Sequence, residues 1–254
     1  MRLGLRSYVL EGTASILILL LLGLSSAAQG SRPKNDQLKS IELCNGKGRV
    51  SPEARIEGCT TLILTVQGIA TALPIAYNNR GNAYVAKGDY DRAIQDFDQS
   101  IKLKPSAEAY FNRGNAHLGR SQYDRAIDDY NQALNLKADY APAFDNRCWA
   151  RAVVGILKQA LADCNEALRL MPNNAETLDS RGFVFLKMTH FDAAVSDYDA
   201  ALRIDPKLAF ALYGRGLARL KNQDPAGEED IAAAKSLQAD IAEEYIRYGM
   251  QEAR

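Results

Sequence analysis

The sequence predicts an all-α protein, a solenoid of stacked antiparallel helix pairs, and three observations carry that prediction. An Arg-Gly pair recurs at Arg80-Gly81, Arg113-Gly114, Arg181-Gly182 and Arg215-Gly216, with Arg147-Cys148 in between. The glycines and the one cysteine stand 33, 34, 34 and 34 residues apart, a period that belongs to a stacked structural unit rather than to a reaction centre. Around each of them apolar residues return at intervals of four, the helical spacing. Of the 254 residues 47% are hydrophobic, ample for a buried core.

The first segment stands apart from the repeats. ILILLLLGL, residues 16–24, follows a polar stretch carrying Arg2 and Arg6 and precedes SSAAQG. A charged start, a short apolar run and small residues make the layout of a secretory signal peptide, residues 1–28, with cleavage after Ala28. Ala14 to Ala28 is 15 residues, short of the roughly 20 that span a bilayer. Glu11 makes the leading stretch untypical, so an uncleaved membrane anchor is the alternative. Residues 29–73 form an N-terminal segment that holds a degenerate helical hairpin. There EARIEGCTTLI (53–63) aligns with DRAIQDFDQSI (91–101), which puts Cys59 where Phe97 stands and Cys44 near the place of Gly81.

Repeats then run over residues 74–237, with units starting near 74, 107, 141, 175 and 209. Four residues before each origin stand Tyr77, Tyr110, Phe144, Leu178 and Leu212. Twelve after it stand Ala93, Ala126, Ala160 and Ala194; sixteen after it, Phe97, Tyr130, Cys164 and Tyr198. LKP, LMP and IDP stop the second helices, and short polar turns such as KGDYD join the halves. A helical glycine costs about 1 kcal/mol relative to alanine, so its recurrence predicts close packing of the first helix on the alanine of the second. Residues 238–254 continue as a helix that caps the end of the stack.

On these residues the units resemble tetratricopeptide repeats: Tyr77, Gly81, Tyr84, Ala93, Phe97 and Pro105 sit on that family's pattern. Two departures stand out. The third unit carries Cys148 and Cys164 at the places of the glycine and the aromatic, and the fifth is about one residue short between its helices. The resemblance implies a right-handed solenoid whose first helices line a concave groove, acting as a protein-interaction scaffold. It also implies a protein or peptide partner lying against Asn79, Asn82, Asn112, Asn115 and Asn146. An amide that both donates and accepts suits a partner's main chain, and Trp149, Phe183 and Tyr213 supply apolar pockets farther along. A clamp for a partner's terminal carboxylate is not expected, since Asn78 and Pro142 stand where that clamp has basic residues.

The cysteines lie at 44, 59, 148 and 164. Each pair occupies the same two places of a hairpin, one on each helix. In an exported protein that favours the disulfides Cys44–Cys59 and Cys148–Cys164, the alternative being small buried thiols. Each Arg has its own carboxylate fifteen residues past the origin, Asp96, Asp129, Asp163 and Asp197, with Asp230 in the short unit. Bidentate Arg–Asp pairs between the two helices are therefore expected.

Lys+Arg and Asp+Glu both number 31, which gives no basic excess to hold nucleic acid. No catalytic motif, phosphate loop or metal-ligand spacing occurs; His117 takes the place of Tyr84 and His190 lies in a turn. The expectation is no enzyme, cofactor, metal or small-molecule substrate, and a membrane only if the first segment is retained. Similarity to small exported repeat proteins of Gram-negative bacteria implies a periplasmic or secreted location.

Overall fold

A computed structural model describes residues 34–46, 50–65 and 72–250. The expected signal segment, residues 1–28, lies outside the described residues. Those residues form helices joined by short turns, with no strand among them. They pack as two units, Met1–Ser121 and Gln122–Arg254. The division falls inside the sequence-defined array, between the two helices of its second repeat. A stack has no single core to prevent that, because each repeat packs only on its neighbours.

The first unit holds α1 (Lys34–Cys44), α2 (Pro52–Thr65), α3 (Leu73–Ala86), α4 (Tyr90–Leu103) and α5 (Ala107–Gly119). The second holds α6 (Tyr123–Leu136), α7 (Ala141–Val153), α8 (Leu157–Leu170), α9 (Ala175–Lys187), α10 (Phe191–Ile204), α11 (Ala209–Lys221), α12 (Gly227–Leu237) and α13 (Ile241–Arg247). Local signals set the ends. Asp89, Ser106 and Asn174 accept hydrogen bonds from the backbone N–H of Arg92, Ala109 and Thr177, capping α4, α5 and α9. Pro74 and Pro142 sit in the first turns of α3 and α7, where a missing N–H costs nothing. The second helices α4, α6, α8, α10 and α12 each end on one non-helical residue, Lys104, Lys137, Met171, Asp205 or Gln238.

That last break corrects the expectation of a tail running on as helix. The chain leaves α12 at Gln238, as it leaves α4, α6, α8 and α10, and α13 is a separate element of 7 residues.

Consecutive helices pack as antiparallel pairs within each unit: α1 on α2, α3 on α4, α7 on α8, α9 on α10 and α11 on α12. Neighbouring first helices also touch, α1 with α3 and α3 with α5 in one unit, α7 with α9 and α9 with α11 in the other. Neighbouring second helices of the same unit do not, among the described residues. Within each unit the first helices therefore line the inner side.

The role of the recurrent glycine differs from the expected one. A Cβ on Gly81 would lie 2.6 Å from the Phe97 ring, and one on Gly182 would lie 2.8 Å from Tyr198. The glycine seats the aromatic of the second helix, not its alanine, and both rings are fully buried. In the short fifth unit two backbones do meet, Gly216 against the carbonyl of Gly227, as Gly58 meets the carbonyl of Ser40 in the degenerate hairpin.

This contact also explains the cysteines. The origin and the residue sixteen on are in direct contact, so two cysteines at those places can bond. The structure joins Cys148 to Cys164 in the α7–α8 hairpin, with Cα atoms 5.4 Å apart. Cys44 is joined to Cys59 in the degenerate hairpin, 4.6 Å apart, where Leu62 and Ala76 complete the small core. No described cysteine is free.

The arginines hold more than the expected pairs. Arg80, Arg147, Arg181 and Arg215 each donate from Nε and Nη2 to both carboxylate oxygens of Asp96, Asp163, Asp197 and Asp230, at 2.6–2.9 Å. Their remaining nitrogen, Nη1, reaches the second helix of the preceding repeat: Thr60, Asn131, Asn165 and Asp199. Arg113 follows this second habit, donating to Asp98 at 2.6 Å. One guanidinium thus fixes the register of its own hairpin and ties that hairpin to the previous one. The aspartates are buried, and bonding to Asp96 raises the pKa of Arg80.

Candidate functional site

In the first unit two of the expected asparagines, on the inner face, bond the preceding repeat, through two separate links. Asn79 on α3 donates to Asn45 Oδ1, just past α1, at 3.5 Å. Asn112 on α5 donates to Asn78 Oδ1 at 3.0 Å, and Asn78 donates in turn to Glu108 Oε1 at 3.3 Å. Asn79 and Asn112 hold the equivalent place, two before the origin, but the first two origins stand 33 residues apart, so Asn112 reaches Asn78, one place farther from its origin. Asn79, Asn82, Asn112 and Asn115 are all half-buried. An asparagine side chain offers two donors and two acceptor lone pairs, so one inter-helix bond does not exhaust it. The expected amides are not bonded to one another; Asn79 and Asn112 bond Asn45 and Asn78 instead.

The second unit differs. Asn146 is buried, its amide hydrogen-bonded at the Tyr130 hydroxyl. At the next equivalent place Ser180 is fully buried and donates to Asp145 Oδ1 at 3.1 Å and to Glu176 O at 2.9 Å. The third place is Gly214, where a Cβ would stand 2.4 Å from the hydroxyls of both Tyr198 and Tyr245.

Trp149, Phe183 and Tyr213 lie on this same face, but they are not open pockets. Their exposures are 7%, 0% and 6%. The covering comes from the chain itself. Tyr248, just past the end of α13, sets its ring edge-on to Trp149 at 5.0 Å and lies 6.5 Å from Phe183. Tyr245 stacks on Phe210 at 4.2 Å and packs on Tyr213 at 4.8 Å and Phe183 at 5.7 Å. Offset-stacked and edge-to-face aromatic pairs each add about 0.5–1.5 kcal/mol beyond area burial, so this is a substantial contact.

Polar bonds fix the same segment. The Tyr245 hydroxyl donates to Phe210 O at 2.8 Å, and burial drives its pKa well up. The Tyr248 hydroxyl donates to Glu244 Oε1 at 2.9 Å. Lys187, at the end of α9, donates to Ala152 O and Val153 O at the end of α7 and to Tyr248 O, at 2.8, 3.2 and 2.9 Å. A cation there meets the negative ends of two helices, although burial lowers the lysine pKa. The residues that sequence reasoning missed are thus Lys187, Phe210, Tyr245 and Tyr248. Their signal was present: two tyrosines three apart in the tail, and the loss of the Asn at 180 and 214.

His117 is buried and His190 is exposed in its turn. Among the described residues no group of acidic, His or Cys side chains is placed to hold a metal ion, and no helix is long and apolar enough to cross a membrane.

The model of the tetratricopeptide repeat matches residues 78–142 and 181–244, together about half of the chain. No curated protein matches in sequence. Solved structures do. YrrB, described as a TPR protein with an unusual peptide-binding site, is 22% identical, with a TM-score of 0.57 over 76% of this chain and 96% of that one. MamA from Desulfovibrio magneticus RS-1 is 16% identical, with a TM-score of 0.59 over 68% and 97%. The C-terminal part of a TPR repeat-containing protein from Cytophaga hutchinsonii is 14% identical, with a TM-score of 0.59 over 84% and 83%. These likenesses show the fold. With stacked helix pairs, the repeat period and the family match in agreement, the chain belongs to the tetratricopeptide repeat family and is an all-α protein-interaction scaffold rather than an enzyme.

Proposed function

We propose that this scaffold is exported and takes a peptide or protein partner on the inner face of its first unit, through Asn79, Asn82, Asn112 and Asn115. The observation that carries the reading is the set of half-buried amides on the adjacent first helices α3 and α5, two of which, Asn79 and Asn112, are each tied by one bond to the preceding repeat, at Asn45 and Asn78. Such a set matches the alternating donors and acceptors of an extended main chain and discriminates little between side chains. The peptide-binding description of the YrrB structure supports a peptide as the ligand class. The pockets expected from Trp149, Phe183 and Tyr213, in the second unit, are covered by Tyr245 and Tyr248, so partner contact on this reading rests on the asparagines of the first unit.

Export is supported by the two disulfides, which persist in oxidising compartments such as a periplasm. On this reading the 1–28 segment is a signal peptide, and the mature protein begins at Gln29.

The test uses the full chain and an Asn79→Ala/Asn82→Ala/Asn112→Ala variant as baits against an envelope extract. Captured partners are identified by mass spectrometry and their affinity is measured by calorimetry. Loss of at least tenfold in affinity at unchanged helicity supports the asparagine face, whereas equal affinity refutes it. N-terminal sequencing of the mature protein tests export: a chain that keeps Met1 refutes cleavage.

A further inference from the structure

α13 meets α11 and α12, as an end cap does, but the tyrosines of its segment reach farther. In a stack, each element touches only its neighbours in series. A helix that simply closed the end would meet α11 and α12. This segment makes both contacts and in addition reaches back across three first helices. Tyr245 packs on Phe210 and Tyr213 of α11, both tyrosines pack on Phe183 of α9, and Tyr248 reaches Trp149 of α7. It lies along the inner face in the way a bound helical ligand lies in a groove.

The face is shaped for it. Gly214 replaces the asparagine of the earlier repeats, and a Cβ there would stand 2.4 Å from the Tyr245 hydroxyl and 2.3 Å from the Tyr198 ring, so the glycine makes room for both. Lys187 gathers the carbonyls of Ala152 and Val153 and holds the tail carbonyl of Tyr248 beside them. The ligand itself is small: 7 residues, too few to be stable as a helix alone. It is joined to α12 through the extended Gln238. Four aromatic side chains, a glycine seat and a lysine clasp on the three first helices thus serve one short segment at the chain's end.

We infer that the inner face of α7, α9 and α11 is a helix-binding groove with α13 as its resident ligand. Its partner is a short helix that presents two tyrosines three residues apart and displaces α13. The tail states the chemistry required: an i, i+3 pair of aromatic hydroxyls, with a carbonyl at its C-terminal end for Lys187. Binding there is switched by competition between the chain's own end and the incoming helix. The inference does not depend on the asparagines of the other unit.

The chain contains one tryptophan, so Trp149 fluorescence reports occupancy of the groove directly. The probe is a labelled synthetic peptide of residues 238–250. Added to the full-length Tyr245→Ala/Tyr248→Ala variant, it is expected to bind saturably and to shift Trp149 emission back to the blue. Wild-type chain is expected to bind it at least tenfold more weakly, because α13 competes. A peptide with both tyrosines replaced by alanine is expected not to bind. Full-length Lys187→Met should loosen the tail and admit the peptide with intermediate affinity. Hydrogen exchange on unaltered protein provides a measurement that needs no variant: amides of Ile241–Arg247 should exchange at least tenfold faster than those of α9 and α11.

Exchange as slow as that of α9 would make α13 an integral part of the fold and overturn the proposal. So would equal peptide affinity for wild type and variant, or no binding to the variant. If the groove is filled in trans by the tail of a second copy, the wild-type chain will dimerise with concentration, and the assignment to a separate partner fails. Unchanged peptide affinity in the asparagine variant distinguishes this site from the one proposed for the first unit.

Discussion

Replacing Arg181 by methionine separates the two tasks of the repeat arginine. Methionine keeps an aliphatic stem, gives up the guanidinium over the Phe185 ring, and removes all three directed bonds: two to Asp197, at 2.7 and 2.8 Å, and one to Asn165 at 2.9 Å. It leaves the Asp197 carboxylate, with only 9% of its side chain exposed, without its cation. Removing one partner of a buried pair costs about 3–5 kcal/mol. The Arg181 side chain is 25% exposed, so solvent compensates part of that, and about 2–4 kcal/mol is expected. For a chain of this size the shift in Tm is about 5–12 °C. Arg181→Lys keeps the charge but not the fork, and should lose about half as much. The assay is urea and thermal unfolding followed by circular dichroism at constant initial helicity. A cycle with Asp197→Asn should show a coupling above about 1 kcal/mol, beyond what solvated pairs give. If Arg181→Met and Arg181→Lys both fall within about 0.5 kcal/mol of wild type, the ladder is ornamental and the register argument fails.

Three other outcomes follow from the same structure. Native protein should show no titratable thiol, and full reduction should release four; Cys148→Ser/Cys164→Ser, which opens a closure 16 residues apart, should cost about 3 kcal/mol in unfolding experiments. Thr189 is exposed and holds φ at +60°, in the turn position that Gly88 and Gly155 fill elsewhere. Thr189→Gly should therefore raise Tm by about 1–4 °C, and a fall would refute strain there. Burial raises the pKa of Tyr130, Tyr245 and Tyr248. Their contribution is complete below the unfolded tyrosine pKa of about 10 and is lost as pH rises above it, because the unfolded chain then releases protons that the folded chain retains. Lys187, whose pKa is lowered, acts in the opposite sense below its unfolded value of about 10.5, but it is one group against three. Tm should fall between about pH 10 and 11, less steeply in Tyr245→Phe, with tyrosinate absorbance rising as the chain melts; a flat profile refutes the burial of these hydroxyls.

Much of the scaffold could be read from local rules. Pro74, Ser106, Pro142 and Asn174 start helices by backbone chemistry that acts within one turn. A hairpin of fixed length brings the residue at the origin against the residue sixteen on, so Cys148 meets Cys164 and Arg147 meets Asp163 without any reference to the rest of the molecule. The packing partner of the glycine was not legible in the same way. Spacing places Phe97 and Ala93 on the same second helix one turn apart, and only the rotation of that helix about its axis puts Phe97 against Gly81. The inter-repeat bonds of Nη1 escaped notice for a related reason: they depend on how one hairpin lies on the next.

The sequence by itself determined the repeat, the helix pairs, the cysteine partners and the family, because each of these is fixed by contacts at a constant short separation along the chain. Only the tertiary structure decided which part of the inner face is open. Tyr248 and Trp149 are distant in sequence, and no periodic rule relates a tail to a groove. Their meeting depends on the turn after Gln238, on the missing Cβ of Gly214 and on the reach of Lys187, acting together in three dimensions.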